Sequence, residues 1–219
     1  MAQRRRRREQ PGPVRLLHWA NAGLLAVMAG SGLQILAASP PMGPKGAEYG
    51  WFPLKDWTAP AWARVGGWLA AGRHWHFAFG WFFVAVAVLY VGYLFASGEW
   101  RRRLFFPRRD LASALQTARS YAVLRNPPPR EGELYNGLQR LAYTGALLAG
   151  ALEVLTGLAL YKPVQLGRLT AALGGYDAAR VLHLLGLVFF VVFTVGHVVM
   201  VLAHPRALAS MVTGGRRDG

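Results

Sequence analysis

Between Val181 and Ala203 the chain reads VLHLLGLVFFVVFTVGHVVMVLA, an apolar run interrupted by two ionisable side chains, His183 and His197. At the rise of an α-helix such a run extends about 34 Å, enough to cross a hydrocarbon layer of roughly 30 Å. The histidines are fourteen residues apart, which separates them by ~21 Å along the helix and by only about 40° around it. One stripe of one membrane helix therefore presents two imidazoles at two depths. Ionisable groups inside a bilayer are costly and face the protein interior with a partner, so the rest of the chain should supply a second half for each.

Composition narrows the chemistry. The 219 residues are 53% hydrophobic, carry a formal net charge of +15 and include no cysteine. Without cysteine there are no disulfides, no thiolate-ligated iron–sulfur clusters and no covalent C-x-x-C-H haem attachment. The positive charge lies beside apolar runs, where it orients a membrane protein and touches anionic lipid; nucleic acid is not the expected partner.

Read in order, the chain predicts an all-α membrane protein, a four-transmembrane-helix bundle. Residues 1–13, with the run Arg4 to Arg8, read as a disordered basic tail, residues 14–203 as the membrane domain and residues 204–219 as a second tail. The spans are expected at about 14–37, 74–96, 141–161 and 181–203. The first, preceded by arginines and followed by Ala37, Ala38 and Ser39, has the outline of a signal peptide, but its length and its polar His18 and Asn21 favour a retained helix. Between spans one and two, Trp51, Trp57, Trp62 and Trp68 suggest a segment lying along the membrane surface, with a short amphipathic helix from Pro60 to Ala71. Lys and Arg number six up to Arg15, nine in the second loop and three in the last tail, against four and three in the first and third loops. This bias places both termini and the long loop, with its breaker Pro127 to Pro129, in the cytoplasm.

The topology then tests the pairing. His18 near the start of span one shares a depth with His197, and His74 and His76 at the start of span two share one with His183. Spacing does not decide between His74 and His76; His76 lies deeper, at the head of HFAFGWFF, and is preferred. Paired imidazoles from different helices suit bis-histidine haem iron, whereas zinc would call for three or four ligands, and neither depth offers an Asp or Glu to complete them. Gly32, fourteen residues after His18 and next but one to Gly30, would let a porphyrin pass; the other reading is that both glycines serve close helix packing. Span two has Tyr90 at the corresponding place. His204 reads as a solvated helix end. Glu153, the one carboxylate well inside a span, is a proton path or a protonated group bonded to a neighbouring helix.

The order RLLHWANAGLLAVMAGSGLQI, HFAFGWFFVA, YNGLQRLAY and two histidines fourteen apart on the last span resembles the bacterial di-haem cytochrome b group. That group takes in cytochrome b561, the b-type subunit of nickel–iron hydrogenases, the gamma subunit of formate dehydrogenase and the cytochrome b of thiosulfate-reductase-like systems. The resemblance covers Arg15 to about Gly214. It implies a multi-pass protein of the bacterial inner membrane with two non-covalent b haems, one on His18 and His197, the other on His76 and His183. It also implies electron exchange between menaquinone or ubiquinone and a periplasmic oxidoreductase subunit, molybdopterin-enzyme-like or hydrogenase-like. Tyr135, Asn136 and Gln139 resemble the family's Y-N-x-x-Q element, where quinone binds; read from residues alone, the tract is a polar helix start. Arg15 and Arg73 would meet haem propionates or act as interfacial anchors. The competing functions are a stand-alone b561-type oxidase of a small reductant such as superoxide, and a haem-free transporter or scaffold.

Overall fold

A computed structural model describes residues 10–38, 42, 43, 49–51, 57–123, 125 and 134–215. The Arg4 to Arg8 run and Pro127 to Pro129 lie outside them. Among the described residues the α-helices are α1 (Gly12–Ala38), α2 (Leu69–Ser97), α3 (Trp100–Arg103), α4 (Pro107–Ala122), α5 (Gly137–Tyr161), α6 (Gly167–Ala172), α7 (Tyr176–Ala203) and α8 (Pro205–Thr213), with no strand. Four of them, α1, α2, α5 and α7, are long and apolar enough to cross a membrane. Their outer surfaces agree with that. On α7, Val191, Val192, Val195 and Leu202 are all more than half exposed; such a face is unfavourable in water and is at home in lipid, where helical hydrogen bonds already satisfy the backbone.

The chain divides into two compact units. The first, Leu16–Leu89 with Ala151–Phe189, contains most of α1 and α2, the last part of α5 and the first part of α7. Its first loop departs from the expected amphipathic helix. Only Ala61–Ala63 makes a 3-10 turn, and α2 starts at Leu69. The cause is Gly66 and Gly67, at φ 112° and 73°, a backbone conformation that ends a helix and suits glycine. Gly66 packs so tightly that an added Cβ would lie 2.8 Å from Gly72 Cα. The loop returns along α1, where Val65 N–H donates to the Gly30 carbonyl at 3.0 Å. Gly30 therefore serves contact with this loop, since a Cβ there would meet Val65 Cγ2 at 2.7 Å. Trp51, Trp62 and Trp68 remain well exposed, as interfacial tryptophans do.

The second unit, Met1–Arg15, Tyr90–Gly150 and Phe190–Gly219, is held by charge. Fully buried Asp110 accepts from Arg140 Nη1 at 2.7 Å, from Arg109 and from the Phe106 N–H at 2.8 Å. Burial alone would push this carboxyl's pKa up, but the hydrogen bonds from Arg109, Phe106 and Arg140 outweigh it and hold the group well below the usual carboxylate range. These bonds fix α4 to the start of α5, and Gly137 makes the approach possible: a Cβ there would strike the Asp110 carbonyl and lie 2.7 Å from Ala114 N. Buried Arg103 pairs with Glu99 at 3.0 Å. Its Nη1 also donates to Gln10 Oε1 at 3.2 Å and Tyr135 Oη at 3.0 Å, while Gln10 Nε2 donates to the same phenol. Burial opposes the Arg103 charge, and Tyr135, Tyr90 and Glu99 more than restore it.

Both expected tails are folded where they are described. Gln10 is buried, its N–H donating to the Gly214 carbonyl at 3.1 Å, and residues 205–213 form α8. The side-chain bonds from Gln10 to Tyr135 and Arg103 depend on residues more than ninety positions away, beyond what local composition indicates.

Candidate functional site

The first unit brings His76 of α2 and His183 of α7 together, with ring centroids 6.0 Å apart and planes at 78°. His74, two residues earlier, is exposed, so His76 is the histidine that the fold delivers to His183. Each imidazole is held at Nδ1 by a hydroxyl on a third or fourth helix. Ser31 Oγ of α1 lies 3.0 Å from His76 Nδ1, and Thr156 Oγ1 of α5 lies 2.9 Å from His183 Nδ1.

The direction of these bonds follows from counting hydrogens. Ser31 Oγ donates its hydrogen within α1, to the Val27 carbonyl at 2.7 Å, and Thr156 Oγ1 donates to the Leu152 carbonyl at 2.8 Å. A hydroxyl has one hydrogen; given to the helix carbonyl, it leaves each oxygen able to accept from the imidazole. An imidazole that donates there carries its proton on Nδ1 and keeps a lone pair on Nε2. His183 has a second acceptor on the same nitrogen, Glu153 Oε2 at 2.9 Å.

Beside each hydroxyl stands a glycine. A Cβ on Gly32 would meet His76 Cε1 at 3.3 Å, and one on Gly157 would meet His183 Cε1 at 3.4 Å. Ser31–Gly32 on α1 and Thr156–Gly157 on α5 thus do the same work for the two rings: the hydroxyl favours one tautomer and the glycine gives the ring room. The arrangement fits iron held between two imidazoles. Metal–nitrogen bonds of about 2 Å on either side of one ion put the two ring centres about 6 Å apart, and ligating histidines characteristically donate their other N–H to a fixed acceptor. Among the described residues no cluster of three or more His, Cys, Asp or Glu is disposed to hold a metal ion by itself, so a porphyrin would have to supply the remaining ligands.

The other expected residues are placed as follows. His18 belongs to the first unit, edge-on to Trp19 at 5.3 Å, and His197 to the second. Phe193 stacks on His197 at 5.9 Å with planes 9° apart, and Tyr143 of α5 stands edge-on to it at 6.5 Å. Tyr143 leads on to Tyr135 at 5.0 Å, whose phenol belongs to the Arg103 and Gln10 network. Asn136 and Gln139 bond each other's backbone: Gln139 N–H donates to Asn136 Oδ1 at 2.9 Å and Asn136 N–H to Gln139 Oε1 at 3.1 Å. This is a reciprocal capping box at the start of α5. Arg15 donates through Nε to the Met211 carbonyl at 3.2 Å and through Nη2 to that of Val212, in the last turn of α8, where a cation is favoured. Arg73 is exposed and lies over the Phe77 ring at 5.6 Å.

Sequence reasoning does not single out Ser31, Thr156 or Gly157; Glu153 does bond to a neighbouring helix, and because its partner is His183, a carboxyl group stands beside this pair after all, contrary to the expectation that neither depth offers one. One signal was readable: a hydroxyl–glycine dipeptide occurs in both α1 and α5. Its meaning depends on which histidine each dipeptide faces.

The model of the prokaryotic cytochrome b561 family matches residues 9–214. A relative from Azospira oryzae, named as a candidate protein-methionine-sulfoxide reductase subunit, YedZ1, is 35% identical over 211 residues, covering 93% of this chain and 95% of that protein. The match takes in every helix described above: this chain belongs to the prokaryotic cytochrome b561 family, and is a multi-pass bacterial membrane protein of the haem b, electron-transfer kind.

Proposed function

We propose that the chain is the di-haem membrane subunit of a quinone-linked oxidoreductase, passing electrons between quinone in the inner membrane and a catalytic subunit at the periplasmic face. The observation that carries this reading is the His76–His183 pair, two imidazoles from separate helices with Nδ1 engaged on both. Haem b, when bound, supplies a one-electron iron couple. His76 and His183 would hold one group through Nε2, and His18 and His197 the other. Six-coordinate bis-histidine ligation favours electron transfer over oxygen binding.

The relative's name favours a partner that reduces methionine sulfoxide in proteins. That reaction consumes two electrons and two protons and releases water, which quinol oxidation can supply, so electrons would run from quinol to the partner. For quinone, Asn136 and Gln139 spend their carbonyl oxygens on the capping box, which leaves both side-chain NH2 groups as donors for a quinone oxygen. The Tyr135 hydroxyl already receives Arg103 and Gln10, and so can give its own hydrogen outward. Basic residues of the second loop would meet anionic lipid.

The test is a reduced-minus-oxidised visible spectrum of the purified chain with haem quantified per polypeptide. Two b-type haems are expected, one lost in His76→Ala or His183→Ala, the other in His18→Ala, and both perturbed in a His183→Ala, His197→Ala double variant. A colourless chain after haem-replete expression, or one that keeps both chromophores in the double variant, overturns the reading. Co-purification of a catalytic subunit separates this function from that of a self-sufficient oxidase.

A further inference from the structure

The two imidazoles of the His76–His183 pair are not held alike, and the difference lies in one carboxyl group. His76 has two neutral partners, the Ser31 hydroxyl at Nδ1 and the Met28 backbone carbonyl, whereas His183 Nδ1 has Thr156 Oγ1 and the carboxyl oxygen Glu153 Oε2, each at 2.9 Å. Glu153 comes from α5 and reaches His183 across a place that α7 leaves empty. Gly186, three residues after His183 and so on the same side of the helix, lies directly against the carboxyl group: a Cβ there would collide with Oε1 and come within 2.7 Å of Glu153 Cδ. The Oε1 atom is buried and has no hydrogen-bond partner among the described residues. Glu153 therefore spends its hydrogen-bonding capacity on one nitrogen of one histidine.

We propose that Glu153 is a positioning residue that sets the donor strength of His183, and that Gly186 provides the space this requires. The proposal rests on the reading of His183 as a haem ligand. With Nε2 on the iron, Nδ1 carries the hydrogen and the carboxyl oxygen accepts it; drawing that hydrogen outward makes Nε2 the more basic ligand. A more basic ligand favours ferric over ferrous iron, and hydrogen bonding behind the axial ligand is among the means by which a protein sets a haem potential. One of the two sites would thus be held at a lower potential than its ligands alone would give, by two residues that do not touch the iron.

The experiment is a potentiometric titration, with electron paramagnetic resonance of the ferric state, on the full chain carrying its haems. Glu153→Met should raise the midpoint of one haem only, changing its oxidised-to-reduced ratio at fixed ambient potential by roughly tenfold, and move that haem's g-values. Gly186→Ala, which displaces the carboxyl group without removing it, should shift the same haem in the same direction. In the Glu153→Met background, Gly186→Ala should add nothing, since the group it displaces is gone. Glu153→Gln, which keeps an acceptor oxygen, should shift less than Glu153→Met and decides the matter with Gly186→Ala if the methionine variant does not accumulate. Unchanged potentials and g-values in Glu153→Met with both haems bound, or a Gly186→Ala shift undiminished in that background, overturn the proposal. So does haem loss in Glu153→Gln with no shift in what remains. If His183→Ala retains both chromophores, the ligand assignment itself fails; if it loses one while Glu153→Met leaves the potentials unmoved, only the role of Glu153 falls.

Discussion

The two units bury polar groups in opposite ways. In the unit containing Arg103, each buried ion meets a counter-ion: Arg103 faces Glu99, and Arg140 faces Asp110. The remaining donors go to Gln10, Tyr135 and the Arg102 carbonyl. Such a network closes on itself and joins segments distant in sequence. In the unit containing His183, the buried hydroxyls of Ser31 and Thr156 give their hydrogens to their own helices and accept from one nitrogen of each imidazole. That arrangement fixes an orientation and favours the tautomer that leaves the other nitrogen basic. Satisfied charge holds a fold; a half-satisfied imidazole is prepared to be a ligand.

The contrast can be tested by substitutions that act on one unit and spare the other. The largest expected effect is at Gly157, where a Cβ would already touch His183 Cε1 at 3.4 Å. Gly157→Leu should displace the ring and remove one of the two haems, read as loss of about half the b-type absorbance with the α5 capping box intact. Next comes Asp110→Ala, which leaves the buried Arg140 guanidinium without its anion and should cost about 3–5 kcal/mol. The thermal midpoint in detergent should fall while the haem spectrum of the folded fraction stays unchanged.

The same carboxylate gives a pH test. Its folded pKa is depressed, so its stabilisation is present in full above the unfolded value of ~3.9 and is lost as pH falls through the folded value. The stability gap between the unsubstituted chain and Asp110→Asn should be level between about pH 5 and 8 and narrow only below about pH 4. The smallest effect is expected for Asn136→Ala, which removes one arm of the capping box and should cost ~1 kcal/mol. If it also lowers quinol turnover at full haem content, Asn136 has a part beyond capping; stability loss without a change in turnover confines it to the helix end.

Much of the fold could be read before any coordinates. Four apolar runs of membrane length and the fourteen-residue spacing in α7 are properties of single helices, and the helical repeat fixes them wherever the helices go. In the first loop, tryptophan content and periodicity predict a helix from Pro60 to Ala71, but Gly66 and Gly67 stop it through positive φ, which neither signal registers. Local composition places Gln10 in a tail, because its partners Arg103 and Tyr135 are 93 and 125 residues away in sequence.

The sequence alone decided which four runs are long and apolar enough to cross a membrane and how far apart the histidines of one run lie along its axis, because rise and turn per residue are set by the backbone. Only the tertiary structure decided that His76 rather than His74 meets His183, that Ser31 and Thr156 hold the two Nδ1 atoms, and that Glu153 crosses to α7 against Gly186. Those contacts depend on how each helix is rotated about its own axis against its neighbours. That rotation is fixed by side-chain packing between different helices, whose contacting residues lie from 27 to 107 positions apart in sequence, which no local pattern encodes.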